Sequence, residues 1–259
     1  MENMKTIAVI ESCDTKFKEA KFISDFIKNE GLNALVINTA TGPAPSYNYD
    51  ISREEIAESY GTPWEEMEPK SKGEKIDYMK DAVAAYVVKL YEEGKIDGII
   101  SVGGLQNTVM AANAMQKLPI GVPKLMVSTM ASGDVERYVG TSDILMMPSI
   151  VDVAGINKIS KIIFKNAVLT IAGMVAGQEK LAEEETIEEK PLIAASMFGV
   201  TTPCVEQAKA VLEQAGYEVL VFHATGTGGK TMESLIESGF FTGVLDLTTT
   251  EWCDEVVGG

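Results

Sequence analysis

Thr6-Ile7-Ala8-Val9-Ile10-Glu11 and Ala34-Leu35-Val36-Ile37-Asn38, separated by a stretch of helical period over residues 17–29, decide the fold. Apolar runs this short and this continuous read as strands covered on both faces, and a helix between them makes them parallel. This is a βαβ unit. The rhythm continues with Ile76, Met79, Val83, Val87 and Leu90 on one face of an amphipathic helix, then the strand Gly98-Ile99-Ile100-Ser101-Val102 and another over residues 124–128. A long helix over residues 155–177 closes this part. Residues 41–72, rich in Pro, Tyr, Ser and Glu, interrupt the rhythm and are expected as a surface insertion with a short helix near 52–60.

The unit then repeats. An offset of 185 places Ile7 on Leu192, Phe26 on Val211, Ile27 on Leu212, Gly31 on Gly216 and Leu35-Val36-Ile37 on Leu220-Val221-Phe222. A second offset of 145 superposes Gly94, Ile96, Gly98 and Ile99 on Gly239, Phe241, Gly243 and Val244, as if the second copy lacked the insertion. The fold class expected is therefore α/β, with two Rossmann-like, doubly wound parallel-sheet lobes, the second incomplete. Residues 1–178 form the first lobe, 179–190 an acidic linker carrying Glu179, Glu183, Glu184, Glu185, Glu188 and Glu189, and 191–259 a partial second lobe. Such a half-sheet is expected to leave an open edge beside Leu245 and Leu247 for a partner to cover.

Thirty-eight acidic against 22 basic side chains give a net charge of −16, which repels nucleic acid and anionic membrane surfaces. Three dispersed cysteines, Cys13, Cys204 and Cys253, fit free thiols in a reducing compartment, and Met1-Glu2-Asn3-Met4-Lys5 lacks the pattern of an export signal. A cytoplasmic location is expected. The apolar run over 166–178 is shorter than the roughly 20 residues of a membrane span, and reads as a buried helix, with a subunit interface as one setting.

Chemistry is expected in the loops that follow strands. In the first, Asp14-Thr15-Lys16, Asp14 is an N-cap or, with Lys16, a ligand contact. In Gly103-Gly104-Leu105-Gln106-Asn107-Thr108, glycines let backbone approach a ligand, Asn107 or Thr108 can cap, and the N–H groups of the helix start favour an anion. The alternative is a tight βα turn. The hydroxyl-rich Ser128-Thr129-Met130-Ala131-Ser132-Gly133-Asp134 and the following Gly140-Thr141-Ser142-Asp143 suit phosphate or ribose, with Asp134 or Asp143 reaching a metal through water; capping and Asx turns explain the same residues. His223-Ala224-Thr225-Gly226-Thr227-Gly228-Gly229-Lys230-Thr231 ends like a Walker A loop, but Ala224 holds the first glycine position. It reads as an anion-binding loop of another kind or as a structural turn. The one histidine is His223, so a His-ligated metal centre or a His-bearing triad would rest on that single residue at a strand end, where a turn residue bonded to a neighbour is the other reading.

The run Val122-Pro123-Lys124-Leu125-Met126-Val127-Ser128-Thr129-Met130-Ala131-Ser132-Gly133-Asp134, with Tyr138-Val139-Gly140-Thr141-Ser142-Asp143, Met197-Phe198-Gly199-Val200-Thr201-Thr202-Pro203-Cys204 and Phe222 to Gly229, resembles a family of bacterial, archaeal and fungal proteins. That family includes the ATP-binding N-terminal region of the tomato inhibitor of tomato mosaic virus RNA replication. The resemblance covers essentially the whole chain. It implies a two-lobed Rossmann-like protein, dimeric in the plant member, that binds ATP with no established reaction. Family members of about 400 residues, a two-domain length, imply that this chain lacks a C-terminal part. Two motifs depart: Glu11-Ser12-Cys13 precedes Asp14 where the family has Gly-Thr, and Leu105-Gln106-Asn107 stands where it has Ser-Gly-Gly. Glu11 is expected to bring negative charge, and Leu105 and Gln106 bulk, to where phosphates approach.

The leading expectation is a nucleotide-binding protein, with ATP as the ligand and Mg as a candidate companion. An enzyme acting on a small carboxylate or phosphorylated metabolite between the lobes, and an assembly subunit completed by another chain, are the alternatives. Partners are a small nucleotide or phosphorylated ligand and a second copy or a completing chain.

Overall fold

A computed structural model describes residues 4–43, 48–184 and 190–258. The chain divides into two compact units, Met1–Glu183 and Glu184–Gly259.

The first unit runs β1 (Thr6–Glu11), α1 (Cys13–Asn29), β2 (Asn33–Asn38), α2 (Arg53–Tyr60), α3 (Trp64–Met67), α4 (Lys72–Glu92), β3 (Gly98–Gly103), α5 (Leu105–Gln116), β4 (Lys124–Ser128), α6 (Glu136–Val139), β5 (Leu145–Pro148) and α7 (Lys158–Glu184). Its five strands are parallel in the order β2-β1-β3-β4-β5. Alternate residues of β1 serve opposite faces. Ile7 and Val9 meet Ile23 and Ile27 of α1 and Phe164, Val168 and Ile171 of α7, whereas Ala8 and Ile10 join Met79, Val83 and Val87 of α4 and Met110 and Met115 of α5. Both faces being buried explains why the strands are apolar throughout. Close packing also explains Gly98, where a Cβ would lie 2.8 Å from Val175 Cγ2.

Local signals set the helix limits. Ser71 and Glu74 form a capping box at α4, Ser52 caps α2, and Gly61 ends α2 at φ 111°. α1 starts at Cys13 with Ser12 at the N-cap and leaves helical geometry at Lys16 (φ −119°, ψ 22°), so regular helix begins at Phe17 as expected.

Three features differ from expectation. The 41–72 segment is not merely superficial: Ile51, Ile56, Ala57, Trp64 and Met67 are buried in the core beside α4, and Ile51 bridges to Ile37 of β2. β5 went unrecognised because Leu-Met-Met-Pro is short, poor in β-branched residues and ends in proline, which only an edge strand tolerates. The apolar helix is also longer than expected, since residues 158–178 form one stretch of 21 residues that includes three lysines and contains an 18-residue window of mean hydropathy 1.5. α7 continues to Glu184 through part of the expected linker, of which 185–189 lie outside the described residues.

The second unit contains β6 (Leu192–Met197), α8 (Thr202–Gln214), β7 (Glu218–His223), α9 (Thr227–Glu237), β8 (Gly243–Leu245) and α10 (Thr250–Cys253). Its parallel sheet has the order β7-β6-β8, the same as β2-β1-β3. The internal repeat is thus a repeat of topology. Its register needs one correction. Ile7 pairs with Ala34 and Gly98, and the residue paired with Val219 and Gly243 is Ile193, so the first strands correspond at an offset of 186. The bonds Thr39 N–H to Glu11 O and Ala224 N–H to Met197 O keep the same offset. The second copy is one residue shorter between strand and helix, which the glycine and core matches farther along could not reveal.

Candidate functional site

In the order β2-β1-β3, the chain leaves β1 in one direction and returns on its other side at β3. The loops beyond the C-terminal ends of these two strands therefore diverge and leave a crevice, the usual ligand position in open α/β sheets. A cleft of about 490 Å³ lies there. It is lined by Ser12, Asp14, Thr15 and Lys16 after β1, Thr41 and Gly42 after β2, Gly104, Leu105, Gln106 and Asn107 at the start of α5, Lys72 and Lys75 at the start of α4, and Asp152.

The start of α5 gives the cleft its polarity. Gly104 is the N-cap, in extended conformation and without a side-chain cap, and Thr108 N–H to Gly104 O is the first helical bond. The preceding N–H groups have no intrahelical partner, and the helix dipole adds positive potential there. A Cβ on Gly104 would meet only Thr129 Oγ1, at 3.8 Å, so the space before it is open. Lys16, Lys72 and Lys75 add three cations against the carboxylates of Asp14 and Asp152. Lys16 Nζ also donates to Val153 O, tying the first loop to the segment that carries Asp152.

Beneath this floor the polar groups face inward. Glu11 is fully buried, its carboxyl accepting from Val102 N–H at 2.6 Å and from Asn107 Nδ2 at 2.8 Å. Burial pushes its pKa well above the usual carboxylate range, and Glu19 adds to this; the Val102 and Asn107 hydrogen bonds and Lys16 oppose it. Glu11 is thus buried beneath the cleft and is not among its lining residues, where the sequence had placed it. It joins β3 and α5 instead. Asn107 also donates to Val102 O at 2.8 Å, and its Oδ1 is buried with no hydrogen-bond partner.

Of the residues expected to bind a ligand, Asp14, Thr15, Lys16, Gly104 and Asn107 come together in the cleft. Asp14 is not the N-cap; its carboxylate accepts from Gly42 N–H and from Ser12 Oγ, both at 3.0 Å. Gly103 ends β3 in the interior, and Thr108 and Ser128 are buried and bonded to each other at 2.6 Å, supporting α5 from behind. Thr129 stands beside Gly104, and Met130 N–H is taken by Ser128 Oγ. Ser132, Gly133 and Asp134 are exposed, with Asp134 accepting from Glu136 N–H as a turn cap. Gly140, Thr141 and Asp143 lie at the N-terminal end of the parallel strands, away from the cleft, because β5 begins at Leu145 and they precede it. There Asp143 pairs with the buried Lys124 Nζ and accepts from Gly121 N–H at 2.8 Å; despite its partial burial these partners hold its pKa below the usual range.

Thr41, Gly42, Lys72, Lys75 and Asp152 were not foreseen. None belongs to a motif, and three of them, Thr41, Gly42 and Lys72, lie at the ends of the segment that seemed superficial. The preceding loop carries strain: Ile150, β-branched and 69% exposed, sits at φ 66°.

The glycine-rich loop of the second unit is built differently. A Cβ on Gly228 would lie 1.8 Å from His223 O, and one on Gly229 1.8 Å from Glu251 Oε2, so backbone and a carboxylate fill the start of α9. The neighbouring cleft is lined by Glu233, Glu251, Asp254 and Glu255 with Lys230, a poor setting for phosphate. His223 is a turn residue, its Nδ1 3.0 Å from Thr225 Oγ1. Among the described residues, no group of three or more His, Cys, Asp or Glu is arranged to hold a metal.

The fold and crevice define a parallel α/β protein of the 2-1-3-4-5 strand order with a switch-point cleft in its first unit. The chain belongs to the uncharacterised protein family UPF0261, whose N-terminal domain matches residues 5–180 and whose C-terminal domain matches residues 190–259. Both domains are represented, so the expectation that the chain lacks the family's C-terminal part is not supported. A UPF0261 protein of Clostridium tetani (strain Massachusetts / E88) is 49% identical over 256 residues, 98% of this chain and 62% of that protein. The ToMV susceptible protein tm-1(GCR26) of Solanum lycopersicum is 38% identical over 276 residues, 99% of this chain and 36% of that protein. The chain thus spans less than two thirds of the length of these relatives. Among solved structures, the UDP-GlcNAc 2-epimerase of Neisseria meningitidis bound to UDP-GlcNAc aligns with 95% of this chain and 73% of its own at 11% identity and a TM-score of 0.34.

Proposed function

We propose that the first unit binds a nucleotide through its phosphates in the crevice beyond β1 and β3, with ATP as the first ligand to test. One observation carries this reading: the α5 helix start, capped only by Gly104, opens into a cleft that also holds Lys16, Lys72 and Lys75. Unpaired N–H groups, a dipole and cations converge where an anion fits. Asp14 and Asp152 are the carboxylates at hand for a hydrated Mg ion accompanying the phosphates. Thr108 supports α5 rather than facing the ligand, so it is the wrong residue for a contact test.

Isothermal titration of the whole chain with ATP and Mg tests the proposal. Saturable heat is expected, and Gly104→Val is expected to weaken binding at least tenfold, because the added side chain occupies space at the cleft while its Cβ comes no closer to the chain than 3.8 Å from Thr129 Oγ1. Absence of heat with ATP, ADP and inorganic phosphate contradicts it.

A further inference from the structure

Asn107 serves two sides of the cleft floor at once. It is the third residue of α5, so its backbone N–H belongs to the helix start that Gly104 leaves open, and it lines the cleft. Its side chain is engaged beneath, where Nδ2 donates to Glu11 Oε2 and Val102 O, both at 2.8 Å, and to Ser101 Oγ at 3.2 Å. A single residue thus separates the Glu11 carboxyl from the helix start.

The surroundings of that carboxyl are unusual for an acid. Glu11 is fully buried, and its two oxygens are held by Val102 N–H and the Asn107 amide, which are neutral donors. Burial against neutral donors leaves the ionised form poorly compensated. Around it α1 presents Cys13, Asp14, Lys16 and Glu19, β2 presents Asn38, its partner in register, and β3 presents Ser101. Glu19 repels a charge on Glu11 and Lys16 attracts one. Burial, Glu11 and Asp14 push the Cys13 thiol far up, so it stays neutral. The chain's one histidine, His223, belongs to the second unit.

We propose that Glu11 is a positioning residue for the cleft, acting through Asn107 and by its own proton: protonated it holds the start of α5 ready for an anion, and ionised it opposes one. The proposal rests on the phosphate-binding reading of the cleft. An anion at the α5 start and a charge on Glu11 are like charges in a poorly screened interior, so each disfavours the other. The coupling is reciprocal: protonation strengthens ATP binding, and ATP tightens the hold of Glu11 on its proton. Because burial raises the folded carboxyl above the usual range, affinity is fully present at lower pH and is lost as pH rises through the raised value. A Glu11 that only ties β3 to α5 would make stability depend on pH and leave affinity level.

Titration calorimetry of the whole chain with ATP between about pH 6 and 9.5, the span that buried carboxyls reach, tests this, with Mg in excess to keep the charge of the nucleotide constant. Affinity is expected to fall at least tenfold across that range. Buffers of different ionisation enthalpy should reveal uptake of about half a proton per ATP at the midpoint of a tenfold fall, a readout that needs no variant. Glu11→Gln, neutral and of the same size, should flatten the profile and abolish the uptake, with circular dichroism checking that it is folded. Saturable ATP binding with a level profile and no proton exchange overturns this proposal alone, as does a profile that folded Glu11→Gln leaves unchanged. No ATP binding at any pH overturns the phosphate-binding reading together with it.

Discussion

In the first unit β3 runs into Gly103-Gly104-Leu105-Gln106, and at the corresponding place in the second, β8 leads to Thr248-Thr249-Thr250-Glu251. The sheets around them share strand order and register. Gly104 leaves the start of α5 open, whereas Thr248 is buried and bonded to Ser196 O and to Thr201 Oγ1, and the Glu251 carboxylate fills the space beside Gly229. A repeated topology therefore does not repeat a site: chemistry depends on a few loop residues that the sheet leaves free to change. The interiors differ as well. Two extensive clusters hold the first sheet between helices, and the second rests on Ala195, Val205 and Val219 with partly buried neighbours.

The largest expected effect is on stability. Phe164→Ala empties a fully buried position and should cost the first unit roughly 3–5 kcal/mol, while Val205→Ala should cost the second about 2 kcal/mol. Scanning calorimetry should show separate transitions, each moved by its own variant; one transition moved equally by both would refute the contrast.

Glu11 sharpens the comparison, because Met197 corresponds to it in the second unit. A carboxyl whose folded pKa is raised holds its proton more tightly in the native state. Its contribution is thus most favourable below the usual carboxylate pKa and is lost as pH rises toward the raised value. Urea unfolding of Glu11→Gln between pH 4 and 8 should show a first-unit transition that loses less stability with rising pH than the wild type. Equal slopes would mean that Glu11 is ionised in the fold. The smallest effect concerns the loop after β5, which has no counterpart in the three-stranded sheet. Ile150→Gly relieves the left-handed strain at an exposed position and should stabilise the first unit by about 1 kcal/mol; a lowered melting temperature would show that Ile150 contributes packing instead.

Much of the fold was legible because buried parallel strands leave continuous apolar runs, as β1, β2, β3 and β4 do. β5 was illegible for want of such a run, and that omission misplaced Gly140, Thr141 and Asp143, which precede this strand and so lie at the N-terminal end of the sheet, away from the cleft. The 41–72 segment looked superficial by composition, although Ile51, Ile56, Trp64 and Met67 are spaced to reach the core. The first and third βα loops of the site were readable from glycine, Asp14 and Lys16. Lys72, Lys75 and Asp152 were not, since only tertiary structure brings them to the cleft. Glu11 was read from its charge, and burial reversed its role.

Hydrogen exchange of the whole chain with and without ATP and Mg most directly tests whether the ligand belongs to the open helix start. Binding is expected to slow exchange at residues 13–16 and 104–107 while leaving residues 226–231 and 249–251 unchanged. Protection confined to the second unit's glycine-rich loop, or no change in either unit at saturating ATP, would contradict the account.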